Sequence, residues 1–457
     1  MVVGDTMSQL MRKTKIISTL GPSSYNEQTV KSLYSAGASV FRINCSHTST
    51  FDLGLMIDSV RLWVPLAAIM VDIQGPKMRY SGIARAVNTG DVVVLSASDL
   101  GFNPQEVGVV AGDRLLVHDG RVEFSVTSVS EQSITCEAKS DGSLLPNKGV
   151  NLPDTSYKGL LLSDKDTADV LLAKSKDVEW LALSFIDRAA DVLAIKNVSG
   201  PEMSILSKIE RPMAITNLRE ICEVSDAVMV ARGDLGVELP YYSIPKLQSI
   251  VAKVANSCGI PSVCATEMLE SMIVSPRPTR AEVSDIVAAV NDGFDAIMLS
   301  GETAVGANPV MAVEVMATVA SYAETDHVSK TSFADTFPRK AAVVSAAVEL
   351  AKRVSSKYLV SLTFTGYSAI MLAACNPSIP VIAITPDASA ARKLQIVRGI
   401  YPFVVKRGKD FQNSIDITLA FLRTQSYLSK GDDIVICASR LSPRSTADTV
   451  WHHNEPV

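Results

Sequence analysis

The chain has little that would commit it to the outside of a cell. Its seven cysteines, at positions 45, 136, 222, 258, 264, 375 and 437, are odd in number, widely scattered and never spaced C-x-x-C. That excludes a disulfide framework and a zinc ribbon, and leaves small buried hydrophobes in a reducing compartment. Neither sign of charge dominates: 43 basic residues stand against 48 acidic ones, a net charge of −5. No positive field exists to gather a phosphate backbone, so nucleic acid is not an expected partner. No apolar run approaches the ~18 residues that a membrane span needs, and the opening "MVVGDTMSQLMRKTK" has no apolar stretch of signal-peptide length. These absences predict a soluble, cytoplasmic protein with no membrane partner.

What is present is apolar sequence cut into short pieces. The 457 residues are 47% hydrophobic and only 20% charged, enough for two to four domains with large dry interiors. Runs rich in β-branched residues recur as "TKIISTLGP", "ASVFRINCSH", "LAAIMVDIQGP", "VEWLALSF", "MSILSKIE", "AVMVARGDLG", "PSVCATEM" and "AIMLSGETA". Between them lie stretches of helical period such as "NEQTVKSLYSAG", "DKDTADVLLAKS", "AITNLREICE" and "IPKLQSIVAKVANSCG". Eight parallel strands alternating with helices most economically close into a (β/α)₈ barrel.

One segment breaks this rhythm. From about residue 80 to 157 the helical pattern gives way to alternating strands with turns at "HDGR" and "EQS", which predicts a small all-β domain inserted after the third barrel strand. Residues 1–79 with 158–327 then remain for the barrel, close to the ~250 residues typical of one. After a polar, Pro-containing connection, residues 330–457 alternate helix and strand again and predict a third domain, an open α/β sheet.

In a barrel of this kind the active site gathers where the strands end, and nearly every run here ends in chemistry. Strand two delivers Arg42, Asn44, Ser46 and His47, and strand three Asp72, Lys77 and Arg79. Strand five gives Lys208 and Glu210, strand six Arg232 and Asp234, strand seven Thr266 and Glu267, strand eight Ser300 and Glu302. Lys208 and Glu210, two apart on a strand, share a face, and Asp234 after a flexible Gly can meet Glu210 from the neighbouring strand. Two carboxylates completed by water and substrate oxygens are a usual seat for Mg²⁺, or Mn²⁺ in its place. Lys208 is then free to face an oxyanion, which points to enolate or phosphoryl chemistry. Arg42, Lys77 and Arg79 supply directed positive charge for a phosphoryl group, and His47 a nucleotide contact. "PRPTR" and "RAEVSD" read as solvated surface or inter-domain pairing.

At these motifs the sequence resembles the pyruvate kinase family. "TKIISTLGPSS", "FRINCSH", "GPKMR", "KGVNLP", "LSKIE", "MVARGDLGVELP", "CATEMLESMI", "PRPTRAE" and "LSGETAVG" follow the family's signature blocks in order, strongly from residue 13 to about 324 and more loosely beyond. The resemblance implies phosphoryl transfer from phosphoenolpyruvate to ADP with a divalent metal, by a homotetramer. It implies Glu210 and Asp234 as metal ligands and Lys208 as the neutraliser of charge on the phosphoryl group and enolate. Gly233, Asp234 and Thr266 would hold the substrate carboxylate, with Thr266 and Ser300 on a proton relay. Arg42 would contact the transferring group, while Arg79, His47 and Lys148 would touch nucleotide phosphates as the inserted domain closes like a lid.

Departures from the family pattern carry information too. Many members have a Glu where this chain has Lys77, with K⁺ bound near Asn44, Ser46, Asp72 and the backbone of Ile73. Members with Lys there do not need K⁺, so the ammonium of Lys77 is expected to replace it. Cys45 and Thr48 stand where Phe and Gly are usual, and Glu267 where Gln is common. In the C-terminal domain "TFTGYS" resembles a loop that holds an effector phosphate, with Thr363, Thr365, Gly366 and Ser368 suited to an anion and Arg440 and Arg444 adding charge. A turn at a subunit interface is the alternative there. Two rivals remain for the whole chain. Aldolases and lyases with a metal-held enolate lack the inserted domain and have no need of Lys77 and Arg79. A non-catalytic sensor of phosphorylated metabolites is disfavoured by the joint presence of Lys208, Glu210, Asp234 and Thr266.

Overall fold

The structure, a computed structural model, describes residues 12–157, 162–324, 338–438 and 447–456. Eight parallel strands close into a barrel: Lys15–Thr19, Ala38–Asn44, Ala68–Ile73, Trp180–Leu183, Ser204–Ile209, Ala227–Ala231, Ser262–Ala265 and Ala296–Leu299. Each coincides with one of the eight apolar runs. The period of two sorts their side chains between two cores. Along strand three, Ile69, Val71 and Ile73 face outward to the ring of helices, whereas Ala68 and Met70 face the barrel interior. Both faces are covered, as in parallel sheets generally, which is why the runs read as continuously apolar.

The helices between strands start and stop where local chemistry dictates. Asn26 accepts from the Thr29 amide to begin Glu27–Ala36, and Gly37 ends it at φ 115°. Ser163 and Asp166 form a reciprocal cap at the head of Asp164–Ser175, as do Thr279 and Glu282 for Arg280–Asp292. "AITNLREICE" is not one helix but two, Pro212–Thr216 and Leu218–Val224, broken at Asn217.

Between barrel strands three and four a curled six-stranded antiparallel sheet builds from Met78–Arg79 through Gly149–Asn151, Arg114–Val117, Val122–Val129 and Ser133–Ala138 to Val92–Ser96. It encloses its own apolar cluster around Phe124, Leu115 and Tyr80. The segment is not wholly β, for Ala97–Leu100 and Pro104–Val107 are short helices capped by Ser96 and Asn103. These four-residue elements are too short to show a 3.6-residue period.

The C-terminal sheet orders its strands Ile400–Val404, Val381–Thr385, Tyr358–Leu362, Asp433–Ala438 and Thr449–Asn454. The last is antiparallel to its neighbour and was not anticipated, since "TVWHHN" on a sheet edge carries no apolar run. Residues 392–400 of this domain lie under the N-terminal ends of the barrel strands. There Arg392 pairs with Glu179 at 2.6 Å, Ser39 donates to the Gln395 carbonyl, and Lys15 donates to the Ile400 carbonyl. Ile396 and Val397 join the same apolar cluster as the barrel interior. The N-terminal end of the barrel is therefore floored by this domain.

Candidate active site

At the opposite, C-terminal end of the barrel strands the structure brings Arg42, Asp72, Lys208 and Glu210 into one buried cluster. The Arg42 Nε donates to Asp72 Oδ2 at 2.7 Å and its Nη1 to Thr19 Oγ1 at 3.0 Å. Lys208 Nζ lies 2.7 Å from Glu210 Oε1, 3.4 Å from Asp72 Oδ1, and donates to Ser184 Oγ at 2.9 Å. The ammonium is thus not free, as expected from sequence, but engaged by three groups. Burial by itself would drive a proton off the ammonium, and the two carboxylates and the hydroxyl keep it charged.

The charges balance in a definite order. Burial alone would push the Asp72 carboxyl up, but Lys208 and then Arg42 outweigh it and hold it below the ordinary range. Burial likewise opposes the Lys208 ammonium, but Asp72 and Glu210 more than compensate and raise its pKa. Glu210 stays raised, because burial and then Asp234 act against the pull of Lys208. Its Oε2 accepts from the Phe185 amide at 2.8 Å, while its Oε1 receives no well-aligned hydrogen bond despite the nearby ammonium. A buried carboxylate with an oxygen left over, next to a second carboxylate, suits a divalent cation. Among the described residues no group of three His, Cys, Asp or Glu side chains forms a fuller cage.

Asp234 stands in the first turn of a helix, Arg232–Glu238, rather than on strand six itself. There Lys77 Nζ approaches its Oδ1 to 3.6 Å and lies 5.7 Å from the Phe185 ring centre. Among the described residues no ion pair joins Lys77 to Asp72; its carboxylate partner is Asp234. Asp72 is taken by Arg42 and Lys208, Asn44 Oδ1 accepts from the Ser46 amide at 3.1 Å, and the Ile73 carbonyl accepts from Ser184 Oγ at 2.9 Å. Gly233 N donates to Thr266 Oγ1 at 2.7 Å, and Thr266 and Glu267 both adopt left-handed backbone, at φ 69° and 54°. Arg232 fixes this turn by donating to the Thr266 carbonyl at 2.5 Å while pairing with Asp285 at 2.7 Å. "RAEVSD" is therefore not all solvated surface.

Other expected residues fall outside the cluster. Glu302 is a scaffold: its two oxygens accept from the Ser300 and Leu269 amides. Ser300 Oγ beside it is buried without a partner. His47, at the end of the short turn Cys45–His47, is exposed. Arg79 donates to the Asn147 carbonyl at 3.0 Å, and the Lys148 carbonyl accepts from the Tyr80 amide at 2.8 Å, so both sit where the inserted sheet meets the barrel. In the C-terminal loop, Thr363 Oγ1 accepts from Gly366 N at 3.0 Å and Thr365 Oγ1 from Tyr367 N at 3.5 Å. Ser368 is buried on the helix that follows. Arg440 and Arg444 lie outside the described residues.

Sequence reasoning missed Ser184, which bridges Lys208, Asp72 and the Ile73 carbonyl. The rule that found the others applies to it, since it directly follows the apolar "WLAL" of strand four. It also missed Thr19 at the end of strand one, and the buried trio Asp187, Arg211 and Glu238 taken up below.

A buried ammonium among carboxylates at the mouth of a (β/α)₈ barrel suits a class of enzymes that stabilise developing oxyanions, which takes in both phosphotransferases and lyases. Comparison with known proteins narrows this. A family profile described as "Pyruvate kinase, barrel domain" matches residues 11–313, and one described as "Pyruvate kinase, alpha/beta domain" matches residues 341–450. A pyruvate kinase of Methylorubrum extorquens is 36% identical over 448 residues, 93% of this chain and 94% of its own. Pyruvate kinase 2 of Synechocystis is 35% identical, covering 95% of this chain and 78% of its own. The crystal structure of a pyruvate kinase from Cryptosporidium parvum superposes with a TM-score of 0.90 at 30% identity, over 100% of this chain and 98% of that one. The chain belongs to the pyruvate kinase family, enzymes of glycolysis that use phosphoenolpyruvate and ADP. No helix among the described residues is long and apolar enough to cross a membrane.

Proposed function

We propose that this chain transfers the phosphoryl group of phosphoenolpyruvate to ADP with Mg²⁺, or Mn²⁺, held by Glu210 and Asp234, and does so without K⁺. The observation that carries the reading is the Glu210 carboxylate, buried with Oε1 2.7 Å from Lys208 Nζ yet lacking a directed hydrogen bond, with Asp234 acting electrostatically on both. The cation, when bound, supplies charge neutralisation for phosphate and enolate oxygens. Arg42 holds the transferring group by charge-assisted hydrogen bonds, and Lys208 stabilises the negative charge on the enol oxygen as its bond to phosphorus breaks. The phosphoryl group passes to the ADP β-phosphate, and the enolate carbon takes a proton. Gly233 N and Thr266 orient the carboxylate, and Thr266 and Ser300 lie on the proton's route. Arg79, Lys148 and His47 take the nucleotide phosphates.

The placement of the charges supports the proposed independence from K⁺. Asp72 has both oxygens engaged, one by Arg42 and the other by Lys208 and Ser184, leaving no carboxylate to hold a monovalent ion. Lys77 brings a tethered ammonium to the Asp234 side of the phosphates instead. A coupled assay of ADP-dependent pyruvate release in K⁺-free tetramethylammonium buffer with Mg²⁺ tests both parts. Full turnover is expected, and strong activation on adding K⁺ would refute the second part. For the loop of Thr363, Thr365, Gly366 and Ser368 we propose a phosphate-bearing effector, and for the whole chain a cytoplasmic homotetramer like that of the family.

A further inference from the structure

Residues 151–157, where the chain leaves the inserted sheet and returns to the barrel, are gripped by three buried side chains from three successive barrel loops. Arg211 follows Glu210 directly and is 0% exposed. Its Nη2 donates to the Leu152 and Thr155 carbonyls, both at 2.9 Å, and its Nη1 to Asp187 Oδ2 at 2.5 Å. The guanidinium carbon lies 3.5 Å from the centre of the Tyr157 ring. Asp187 also accepts from the Tyr157 amide at 3.4 Å. Glu238 ends the helix whose first turn carries Asp234; it accepts from Asn151 Nδ2 at 3.0 Å and stands 3.6 Å from Arg211 Nε.

A fully buried guanidinium among two carboxylates is expensive, and well-packed apolar side chains would hold a crossing at least as firmly. What the fork adds is direction, since its donors fix two carbonyls and its plane fixes a ring. The segment it fixes leads straight to the nucleotide side of the site. Gly149–Asn151 pairs with Met78–Arg79, the Lys148 carbonyl holds Tyr80, and a Cβ on Gly149 would lie 3.9 Å from Lys77 Cε.

We propose that Arg211 is a positioning residue for the nucleotide: by locking residues 151–157 to the strand end that carries Glu210, it sets Lys148, Arg79 and Lys77 in register with Asp234. Resting on the nucleotide placement proposed above, this makes Arg211 act through those cations without touching substrate. Asn151 and Glu238 complete the same lock from the helix of Asp234.

Steady-state kinetics of the full chain with Arg211→Gln and Arg211→Lys test it, varying ADP and phosphoenolpyruvate separately. A displacement of positioned groups by about 1 Å predicts a KM for ADP raised roughly tenfold or more in Arg211→Gln, with the KM for phosphoenolpyruvate within about twofold of wild type. Arg211→Lys keeps the charge and loses the fork, so it should fall between the two. Folded variants with a wild-type KM for ADP, or with a loss confined to kcat, would overturn the proposal. Should Arg211→Gln fail to fold, Asn151→Ala removes only the link to Glu238, and it too must raise the KM for ADP; no change overturns the proposal equally. A wild-type chain that released no pyruvate with ADP would instead defeat the functional reading itself, which separates the two failures.

Discussion

Lys208 shows how tightly function and stability are joined at single residues here. Its ammonium is the shared partner of Asp72, Glu210 and Ser184, so removing it strips the cation proposed to act on the enol oxygen and leaves a carboxylate short of charge. Lys208→Met should lower kcat roughly 10²–10³-fold and destabilise the chain by about 3–5 kcal/mol, measured by the coupled assay and by denaturant melts. A variant retaining full turnover would take Lys208 out of the chemistry. Glu238 makes a different case, in which a charge is paid for in stability. Burial, only partly offset by Arg211, pushes its carboxyl up to about 7. Between the ordinary carboxylate range near pH 4.5 and that value the folded chain holds a proton that the unfolded chain has released. The group's contribution is therefore present at low pH and lost as pH rises through about 7, a loss on the order of 2–3 kcal/mol. Glu238→Gln is neutral throughout and should melt a few degrees above wild type near pH 8 with little difference near pH 5. An equal difference at both pH values would show that Glu238 does not titrate in this window.

At the scale of elements, the strand ends explain what was legible. Eight apolar runs each announced a strand, and the polar residues after strands two, three and five announced Arg42, Asp72, Lys208 and Glu210 of the buried cluster, because a barrel buries everything except its rim. Asp234 was misplaced onto a strand for a physical reason: helix Arg232–Glu238 is only seven residues long and contains two glycines, so no period marks it. Arg211, Asp187 and Glu238 were invisible because their pairing joins three loops far apart in sequence, and "ERPMA" by itself reads as a helix start at Pro212. The short helix also separates stability from function. Gly233 has space around it, since an added methyl would meet Thr266 Oγ1 at 3.5 Å, an ordinary contact. Gly233→Ala should accordingly fold normally, even gaining up to about 1 kcal/mol from helix propensity. The same methyl would stand beside the Gly233 amide and Thr266, where the substrate carboxylate is proposed to bind. One misplaced methyl is worth roughly 10–200-fold in kcat/KM for phosphoenolpyruvate. A variant as active as wild type would move the carboxylate elsewhere.

Across the whole molecule the two ends of the barrel divide the labour. Buried cations and carboxylates collect at the C-terminal rim, while the N-terminal end is covered by residues 392–400. Glu179, just before strand four, is the hub of that seal. It is fully buried and accepts from Arg61 of the barrel, Arg392 of the C-terminal domain and the Ile69 amide. Three donors on one carboxylate mean that its removal leaves two guanidinium groups and an amide without their acceptor, a deficit of about 3–5 kcal/mol. It also severs a polar tie between the domains, although the shared apolar cluster of Met70, Trp180 and Ile396 remains. Conserving the rim while damaging the floor should cost stability and not chemistry. Glu179→Ala is thus expected to lower the melting temperature and to split the barrel and C-terminal transitions in calorimetry, with kcat/KM at 25 °C within about twofold of wild type. A fall in kcat matching that of Lys208→Met, in protein that is still folded, would mean that the floor reaches the reacting atoms through the barrel interior, and the division between the two ends would have to be abandoned.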